Sequence, residues 1–416
     1  MRTKWFFLVT LVACGGSSGS EPPEGGPPIL DRSPRLGHEC AITREPAIVA
    51  ESQQQAGIAL ARTGAGYFAA RGTYDPETSE PQIALSELRF DPVELAPPQV
   101  ELPGAGYLAR PALTVRDDTL GLSWIESSAT TAGQELRFAV LDGEGELMSD
   151  PVTVDGGSGD DMIRTQAQAA SADGFGILWS DDAALRFLAL DAGGAPAGDP
   201  VAIRDGQVDS AHLVRRSDGF AAVWIEESGV HIALLDERGA PRTDPELLAG
   251  PGRDGTILTG PFAVAVDDEL VVAWTEQYRR PDDNGPLGGH ALVWLAHVSG
   301  DGELLGPAER LQAAEDGIVS ALSSLLPMDG AVAIAWSRET YIPICAGCVS
   351  DATIRFILLD PVDLVPVSEA VELVGPSGLK SAPMVGSQDG DVAFFMTVDH
   401  HAIADLAAAK IRCTRL

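Results

Sequence analysis

One short pattern recurs along the whole chain and restricts its folds more than any other feature. A turn of the Asp-Gly type precedes an apolar run that ends in Trp, and a variable loop, a second apolar run, Asp-x-x-Gly and Pro follow. The clearest copies begin at Asp173 and Asp218 and contain Trp179 and Trp224. A regular repeat of this kind indicates units that pack against their neighbours to bury a continuous core.

The spacing of the repeat indicates a four-stranded unit. Other copies place Trp124, Trp274 and Trp336 at the same point, with Met396 there in the last copy and the region near Ala70 in the first. This position recurs every 45 to 62 residues, which is typical of propeller blades. The short runs between turns are strand-like. We therefore predict an all-β fold, a single seven-bladed β-propeller with four antiparallel strands per blade. Six or eight blades remain alternatives.

The two ends of the chain predict how the ring closes. The last copy has three strands and no fourth, whereas residues 39–43 precede the first copy and belong to none. We predict that this N-terminal segment completes the last blade and removes the open sheet edge, so that the propeller domain covers residues 39–416. Cys40 lies in the segment and Cys413 ends its expected partner strand, which predicts a disulfide between them.

The N-terminal segment resembles that of a bacterial lipoprotein. Arg2 and Lys4 precede an apolar run that is too short to span a bilayer but has the size of a signal-peptide core. The run ends in Leu-Val-Ala-Cys14, which resembles the lipobox. The resemblance implies a lipoprotein signal peptide over residues 1–13, lipidation of Cys14 and anchoring in the outer membrane, on either its periplasmic or its outer face. An ordinary cleaved signal peptide is the alternative. The Gly-, Ser- and Pro-rich residues 14–38 are predicted to form a disordered tether.

The charge balance excludes several classes of partner. The chain has 61 acidic and 28 basic residues and a formal net charge of −33. A surface this acidic repels nucleic-acid phosphates and anionic lipid head groups, so we predict no nucleic-acid binding and no membrane contact except through the lipid anchor. We expect a self-repelling monomer whose ligand is a protein or a glycan.

Loop length points to one end of the propeller as the binding face. The first-to-second and third-to-fourth turns of the repeat are short and uniform, whereas the second-to-third loops vary and are longest over residues 276–289 and 338–350. Loops that vary in length among otherwise similar repeats lie at the end of the propeller where folding does not require one loop length. Tyr and Arg suit binding surfaces. The candidate residues of this face are Tyr278, Arg279, Arg280, Asp282, Asp283 and Tyr341.

The sequence contains no catalytic signature. It lacks a Gly-x-Ser-x-Gly elbow, a P-loop and a dinucleotide-binding glycine pattern after a strand. Cys345 and Cys348 are spaced like zinc ligands, but no second pair completes a site. We therefore predict that these two cysteines form a structural disulfide in a long loop, and we assign no catalytic residue.

Two clusters contain residue types that bind metals. They are Asp155, Asp160 and Asp161 in a Gly-rich loop, and Asp399, His400, His401 and Asp405 near the last blade. The first cluster lacks the spacing and the terminal Glu of an EF-hand, so calcium is a minor alternative. In the second, adjacent His side chains on an extended strand point to opposite sides. We therefore predict no metal site and no cofactor.

As a whole, residues 40–416 resemble the repeat-built propeller lipoproteins of Gram-negative bacteria. The resemblance depends on the Trp-ending strand and on Leu-Asp-x-x-Gly…Pro, and the first copy departs from it because it lacks both the Trp and a clear Asp-x-x-Gly turn. It implies an architecture and no particular activity. We predict a non-catalytic protein- or glycan-binding module. The alternatives are an envelope assembly scaffold and a hydrolase or lyase in the central channel, where His212, Arg215 and Arg216 would have to converge with a carboxylate.

Overall fold

The computed structural model describes most of the chain after residue 27. The described residues are 28–53, 57–74, 78, 80–104, 110–127, 133–156, 162–252, 256–278, 290–312, 318–341, 349–375, 379–380, 383–386, 389–399 and 404–416. In these ranges the regular secondary structure is β-strand apart from one short 3₁₀ helix, and no helix there is long and apolar enough to cross a membrane.

Blades 1 to 4 follow one another along the chain after the first strand, β1 (His38–Gln53). Blade 1 contains β2 (Ile58–Arg62), β3 (Tyr67–Tyr74) and β4 (Pro81–Phe90), with a fourth strand divided into β5 (Val93–Leu95) and β6 (Val100–Pro103). Blade 2 contains β7 (Ala112–Arg116), β8 (Thr119–Ser127), β9 (Gln134–Leu141) and β10 (Val152–Gly156). Blade 3 contains β11 (Thr165–Ala170), β12 (Gly174–Ser180), β13 (Ala184–Asp191) and β14 (Val201–Asp205). Blade 4 contains β15 (Ser210–Arg216), β16 (Gly219–Glu226), β17 (Gly229–Leu235) and β18 (Glu246–Ala249).

Blades 5 to 7 have longer second and third strands. Blade 5 contains β19 (Ile257–Val266), β20 (Glu269–Tyr278), β21 (His290–Val298) and β22 (Glu309–Arg310). Blade 6 contains β23 (Ile318–Met328), β24 (Ala331–Tyr341), β25 (Val349–Leu359) and β26 (Val371–Val374). Blade 7 begins with β27 (Leu379–Lys380) and β28 (Met384–Gly386), and continues with β29 (Asp391–Asp399) and β30 (Ala404–Arg415). The prediction of seven blades with four antiparallel strands each is confirmed.

The ring closes as predicted. β1 pairs antiparallel with β30 and becomes the fourth strand of blade 7, over a longer span than the predicted residues 39–43. Cys40 lies opposite Cys413 and is joined to it by a disulfide. The first strands of successive blades contact each other around the channel, and β28 of the last blade contacts β2 of the first. The sheet edges that a linear array would expose are therefore paired.

The core consists of seven hydrophobic clusters, one at each junction between blades. In blades 2 to 6 the Trp of the second strand packs against the preceding blade, where Trp179 belongs to the cluster of Phe138 and Trp224 to that of Phe187. Both indoles are almost completely buried. A large apolar ring at this point buries the most surface where two twisted sheets meet. The repeated Trp is therefore a core residue.

The Asp-x-x-Gly signature is a turn that covers the edge of the preceding blade. Asp191 Oδ1 accepts hydrogen bonds of 2.9 Å from the backbone N–H groups two and four residues later. Gly194 follows with a φ of +86°, and a Cβ there would stand 3.2 Å from the ring of Phe138. Gly239 has a φ of +84°, and a Cβ there would overlap the ring of Phe187. Only glycine meets both demands, a left-handed backbone and close contact with an aromatic ring.

The last part of the predicted tether belongs to the folded body, which corrects the predicted boundary at residue 39. Residues 29–31 form a short 3₁₀ helix, and Ile29 is fully buried with Leu311 between blades 5 and 6. Further along, the backbone N–H of Gly37 donates to the Val367 carbonyl at 2.9 Å. Composition concealed this contact because one buried Ile can attach a segment that is otherwise polar. Residues 28–38, part of the predicted tether, thus contact the propeller.

Candidate functional site

The predicted face lies mostly outside the described residues. Arg279, Arg280, Asp282 and Asp283 are among the residues that the structure does not describe, as are Cys345 and Cys348. Tyr341 ends β24, but its side chain is not described. Tyr278 ends β20 with only 8% of its surface exposed.

The two clusters of metal-binding residue types lie largely outside the described residues. No group of three or more His, Cys, Asp and Glu residues there could hold a metal ion. Asp155 accepts the indole N–H of Trp179 at 2.8 Å, and this hydrogen bond gives it a structural role. Asp160, Asp161, His400 and His401 lie outside the described residues.

His212 does not take part in a channel site. Its ring packs 5.5 Å from that of Phe262, between blades 4 and 5. Burial lowers the pKa of His212 to about 4, so the imidazole is neutral at pH 7. A neutral ring between two blades, with an aromatic neighbour, is a core histidine.

The two arginines of the same strand lie at its other end, beside the short turns. Arg215 donates to Glu237 at 2.6 Å, and Arg216 donates to the carbonyl of Gly300 at 2.7 Å. Each guanidinium is therefore bound by a neighbouring turn. The convergence with His212 that a channel enzyme would require does not occur.

The channel-facing strands contain no carboxylate. The first strands of the seven blades are β2, β7, β11, β15, β19, β23 and β28, and none contains Asp or Glu. Their polar residues are Thr, Gln, Ser, His and Arg. Glycosidases of the common kind need two carboxyl groups facing one bond. The seven described first strands therefore provide donors and neutral acceptors but no such pair.

A small cavity lies on the predicted face, at the mouth of the channel. It has a volume of about 200 Å³ and is lined by Arg110, Met162, Ile163, Arg164 and Asp209. Its charged residues stand in equivalent places, one or two residues before the first strands of blades 2, 3 and 4. We call it the mouth cavity. The sequence analysis missed these residues, although their place just before each first strand could have identified them.

Hydrogen bonds hold the charged groups of the mouth cavity in place. Arg164 Nε donates to Asp182 at 2.6 Å, and its NH1 lies 3.9 Å from Asp209. Gln207 Nε2 donates to Asp209 Oδ1 at 2.7 Å. The guanidinium of Arg110 donates to the carbonyl of Arg164. The cavity thus combines fixed N–H donors with carboxylate acceptors.

Two glutamines continue this polar surface into the channel wall. Gln166 donates through Nε2 to the Arg110 carbonyl, and Gln168 donates to the Gly121 carbonyl at 2.8 Å. Each amide oxygen is buried and accepts no hydrogen bond in the structure. A buried acceptor without a donor is unfavourable by about 1–3 kcal/mol. Hydroxyl groups entering the channel edge, from water or from a ligand, would satisfy both.

A Ser–His–Glu cluster on the blade 4 loop has the residues of a triad but not its geometry. Ser228 Oγ lies 2.7 Å from His231 Nε2, and Glu226 Oε1 lies 3.2 Å from the same nitrogen. A catalytic triad places the nucleophile and the carboxylate on opposite ring nitrogens. Burial lowers the pKa of His231, whose ring stacks on Trp224. The cluster stabilises a short loop and cannot relay a proton.

Comparisons with known proteins identify the fold and no family. No family model matches the chain, and no curated protein matches it. A GH93 α-L-arabinofuranosidase of Fusarium graminearum, solved with arabinobiose, is 8% identical over 88% of this chain and 97% of that one, with a TM-score of 0.50. A polysaccharide lyase is 11% identical over 86% and 90%, with a TM-score of 0.49.

A longer protein also matches. A prolyl endopeptidase structure is 13% identical over 86% of this chain, with a TM-score of 0.46, and this chain spans half of its length. At 8% identity, the match to the Fusarium enzyme shows a shared fold and leaves the function to the residues of the site.

Proposed function

We propose that this protein is a non-catalytic glycan-binding module of the cell envelope and that the glycan binds at the mouth cavity. The observation that carries the proposal is a fixed set of guanidinium donors and carboxylate acceptors above a channel wall without carboxylates. Sugar hydroxyls need donors and acceptors of this kind. The volume of about 200 Å³ is below the roughly 300–1,000 Å³ of sites for drug-sized ligands, which favours a single sugar unit.

The pairing of the carboxylates favours binding over hydrolysis. Asp182 and Asp209 both face Arg164, at 2.6 and 3.9 Å. A glycosidase of the common kind needs two carboxyl groups that face one glycosidic bond, whereas these two face the same guanidinium. They therefore suit the role of acceptors for sugar hydroxyls.

The choice of a glycan as ligand class has one further support. The matched Fusarium enzyme has the same fold and was solved with a disaccharide, so this architecture can hold sugars. A net charge of −33 continues to disfavour nucleic acid. We infer that a monomer without a cofactor suffices for this function.

An array of immobilised plant, algal and bacterial oligosaccharides tests the proposal with the purified protein. We expect retention on one glycan class, and calorimetry with the retained sugar should show at least tenfold weaker binding for Arg164→Ala. Arg204→Ala is the matched control, because Arg204 is a comparably exposed guanidinium of blade 3 that pairs with Glu226 outside the cavity. Its affinity should equal that of the wild type.

Three results would contradict the proposal. Shortening of the retained sugar in chromatography would indicate a hydrolase or lyase. Absence of any retained glycan, together with a specific protein cross-linked on intact cells, would favour the assembly scaffold. Equal affinities of the Arg164→Ala and Arg204→Ala variants would place the binding site elsewhere.

The envelope location rests on Cys14, which we propose is lipidated. Cells grown with an alkyne-labelled fatty acid should incorporate the label into the wild-type protein, and Cys14→Ala should abolish incorporation completely because no other cysteine occupies a lipobox. Cys345→Ala is the control and should keep the full signal. Label that persists in the Cys14→Ala variant would refute the lipobox.

A further inference from the structure

At five junctions, the third-to-fourth turn of one blade covers the edge of the blade before it. The covering residue is a glycine in four cases and a buried leucine in the fifth. The contacts are Gly145 on Phe68, Gly194 on Phe138, Gly239 on Phe187, Gly302 on Leu234, and Leu364 in the cluster of Leu295. These turns close the junctions on the face opposite the mouth cavity.

The two junctions beside blade 7 lack this cover. In blade 1 the third strand turns directly into the fourth, and Phe90 pairs with Val93. This tight connection stands where the clearest repeats have an Asp-x-x-Gly turn. In blade 7 the third and fourth strands are β30 and β1, so no turn joins them. Cavities of about 710 and 560 Å³ open at these junctions. The sequence irregularity of blade 1 and the closure of the ring thus each leave an open cleft.

The cleft between blades 7 and 1 contains an aromatic pair. We call this cavity of about 560 Å³ the seam groove. The rings of Tyr67 and Phe90 meet edge to face at 5.2 Å, and Lys410 Nζ lies 5.8 Å from each ring centre. Burial raises the pKa of Tyr67, so its hydroxyl remains a hydrogen-bond donor at neutral pH.

The seam groove is lined by twice as many cationic as acidic side chains, in a chain with only 28 basic residues against 61 acidic ones. The cations are Arg44, Arg89, Lys410 and Arg412, and the carboxylates are Glu87 and Asp91. Lys410 and Arg412 are bound to Asp391 at 2.5 and 2.6 Å. Such a concentration of positive charge opposes the overall charge of the protein, and it is the feature that a binding site for an anion requires.

The outer cations are the ones open to exchange with a ligand. Arg44 is 45% exposed and lies 3.8 Å from Asp91, whose side chain is 93% exposed. Arg89 is 49% exposed and is bound only by two partly exposed glutamates, Glu87 and Glu94. Exposed ion pairs contribute about 0–1 kcal/mol. A ligand carboxylate that is also held by ring contacts can therefore replace Asp91 beside Arg44.

We propose that the seam groove binds a small carboxylate-bearing sugar, such as a hexuronate. The apolar face of the sugar ring packs on Tyr67 and Phe90, and its carboxylate takes hydrogen bonds from Arg44 and Arg89. A short ligand fits better than a long acidic polymer, because the rest of the surface is strongly acidic and charges are screened only beyond about 8 Å at physiological salt. This site is separate from the mouth cavity and does not depend on the function proposed there.

Calorimetric titration with trigalacturonate tests the proposal on the purified protein. We expect at least tenfold weaker binding for Arg44→Gln and for Arg89→Gln, both exposed enough to fold normally, and tighter binding for Asp91→Asn, which removes the competing carboxylate. Arg204→Gln and Arg164→Ala should leave this affinity unchanged. Neutral arabinotriose should not compete.

Several outcomes would overturn the assignment. These are no heat of binding with trigalacturonate, equal affinity for the neutral trisaccharide, or unchanged affinity in Arg44→Gln and Arg89→Gln. Loss of trigalacturonate binding in Arg164→Ala with retention in Arg44→Gln would move the acidic sugar to the mouth cavity. Failure of the glycan array with normal trigalacturonate binding would reject the mouth cavity alone.

Discussion

Replacing both Cys40 and Cys413 with Ser should lower the free energy of unfolding by about 3–5 kcal/mol. The disulfide joins residues 373 positions apart and staples β1 to β30. The chain-entropy relation gives about 5–6 kcal/mol for so long a loop, and measured effects are usually smaller. Urea titration of the wild type and the double variant, under conditions that keep the wild type oxidised, measures the difference.

Reduction provides the control for this prediction. In excess dithiothreitol the wild type and the double variant should unfold at the same urea concentration, and without reductant Cys40→Ser alone should match the double variant because one cysteine cannot form the bond. A double variant as stable as the oxidised wild type would show that strand pairing alone closes the ring. A single variant much less stable than the double would indicate harm from the unpaired thiol.

Gly239→Ala should destabilise the protein by about 2–4 kcal/mol, the sum of overpacking and a left-handed backbone. The φ of Gly239 is +84°, and its added Cβ would stand 2.0 Å from Phe187 Cδ1. Gly198→Ala is the matched control, since nothing lies within 4 Å of its Cβ position and it is also an exposed loop glycine. Thermal unfolding of the two variants should differ by several degrees.

A double variant separates the two causes. Phe187→Leu removes the ring that the new Cβ meets, so Gly239→Ala should cost less in that background than in the wild type. The remaining cost is the part due to the left-handed backbone. Equal destabilisation by Gly198→Ala and Gly239→Ala would show that the turn does not pack on the preceding blade as described.

The repeat made the architecture predictable because its causes are local. An Asp that accepts two backbone N–H groups, and a Gly with positive φ three residues later, encode the same turn wherever they occur, as Asp191 and Asp236 show. The position of Trp179 encodes a large buried ring at a constant point of the second strand. The closing strand followed from counting strands, since a ring leaves no edge unpaired.

The candidate sites were less predictable. Tyr278 is a chemically reasonable binding residue, but only 8% of its surface is exposed. Arg164 is unremarkable in the sequence, and its role follows only when loops from blades 2, 3 and 4 meet at one mouth. Ile29 lies in a segment with the composition of a tether, yet it fills a space between blades 5 and 6.

The sequence by itself determined the strands, the turns, their number and the order in which they close, because each depends on residues close together along the chain. Only the tertiary structure decided where charges and rings converge. The absent turn of blade 1 is visible in the sequence, but it becomes a groove only because closure brings Lys410 beside Tyr67. Contacts between residues so distant along the chain depend on how the blades pack. The repeat pattern within one blade does not encode them, because it is the same whichever blade is its neighbour.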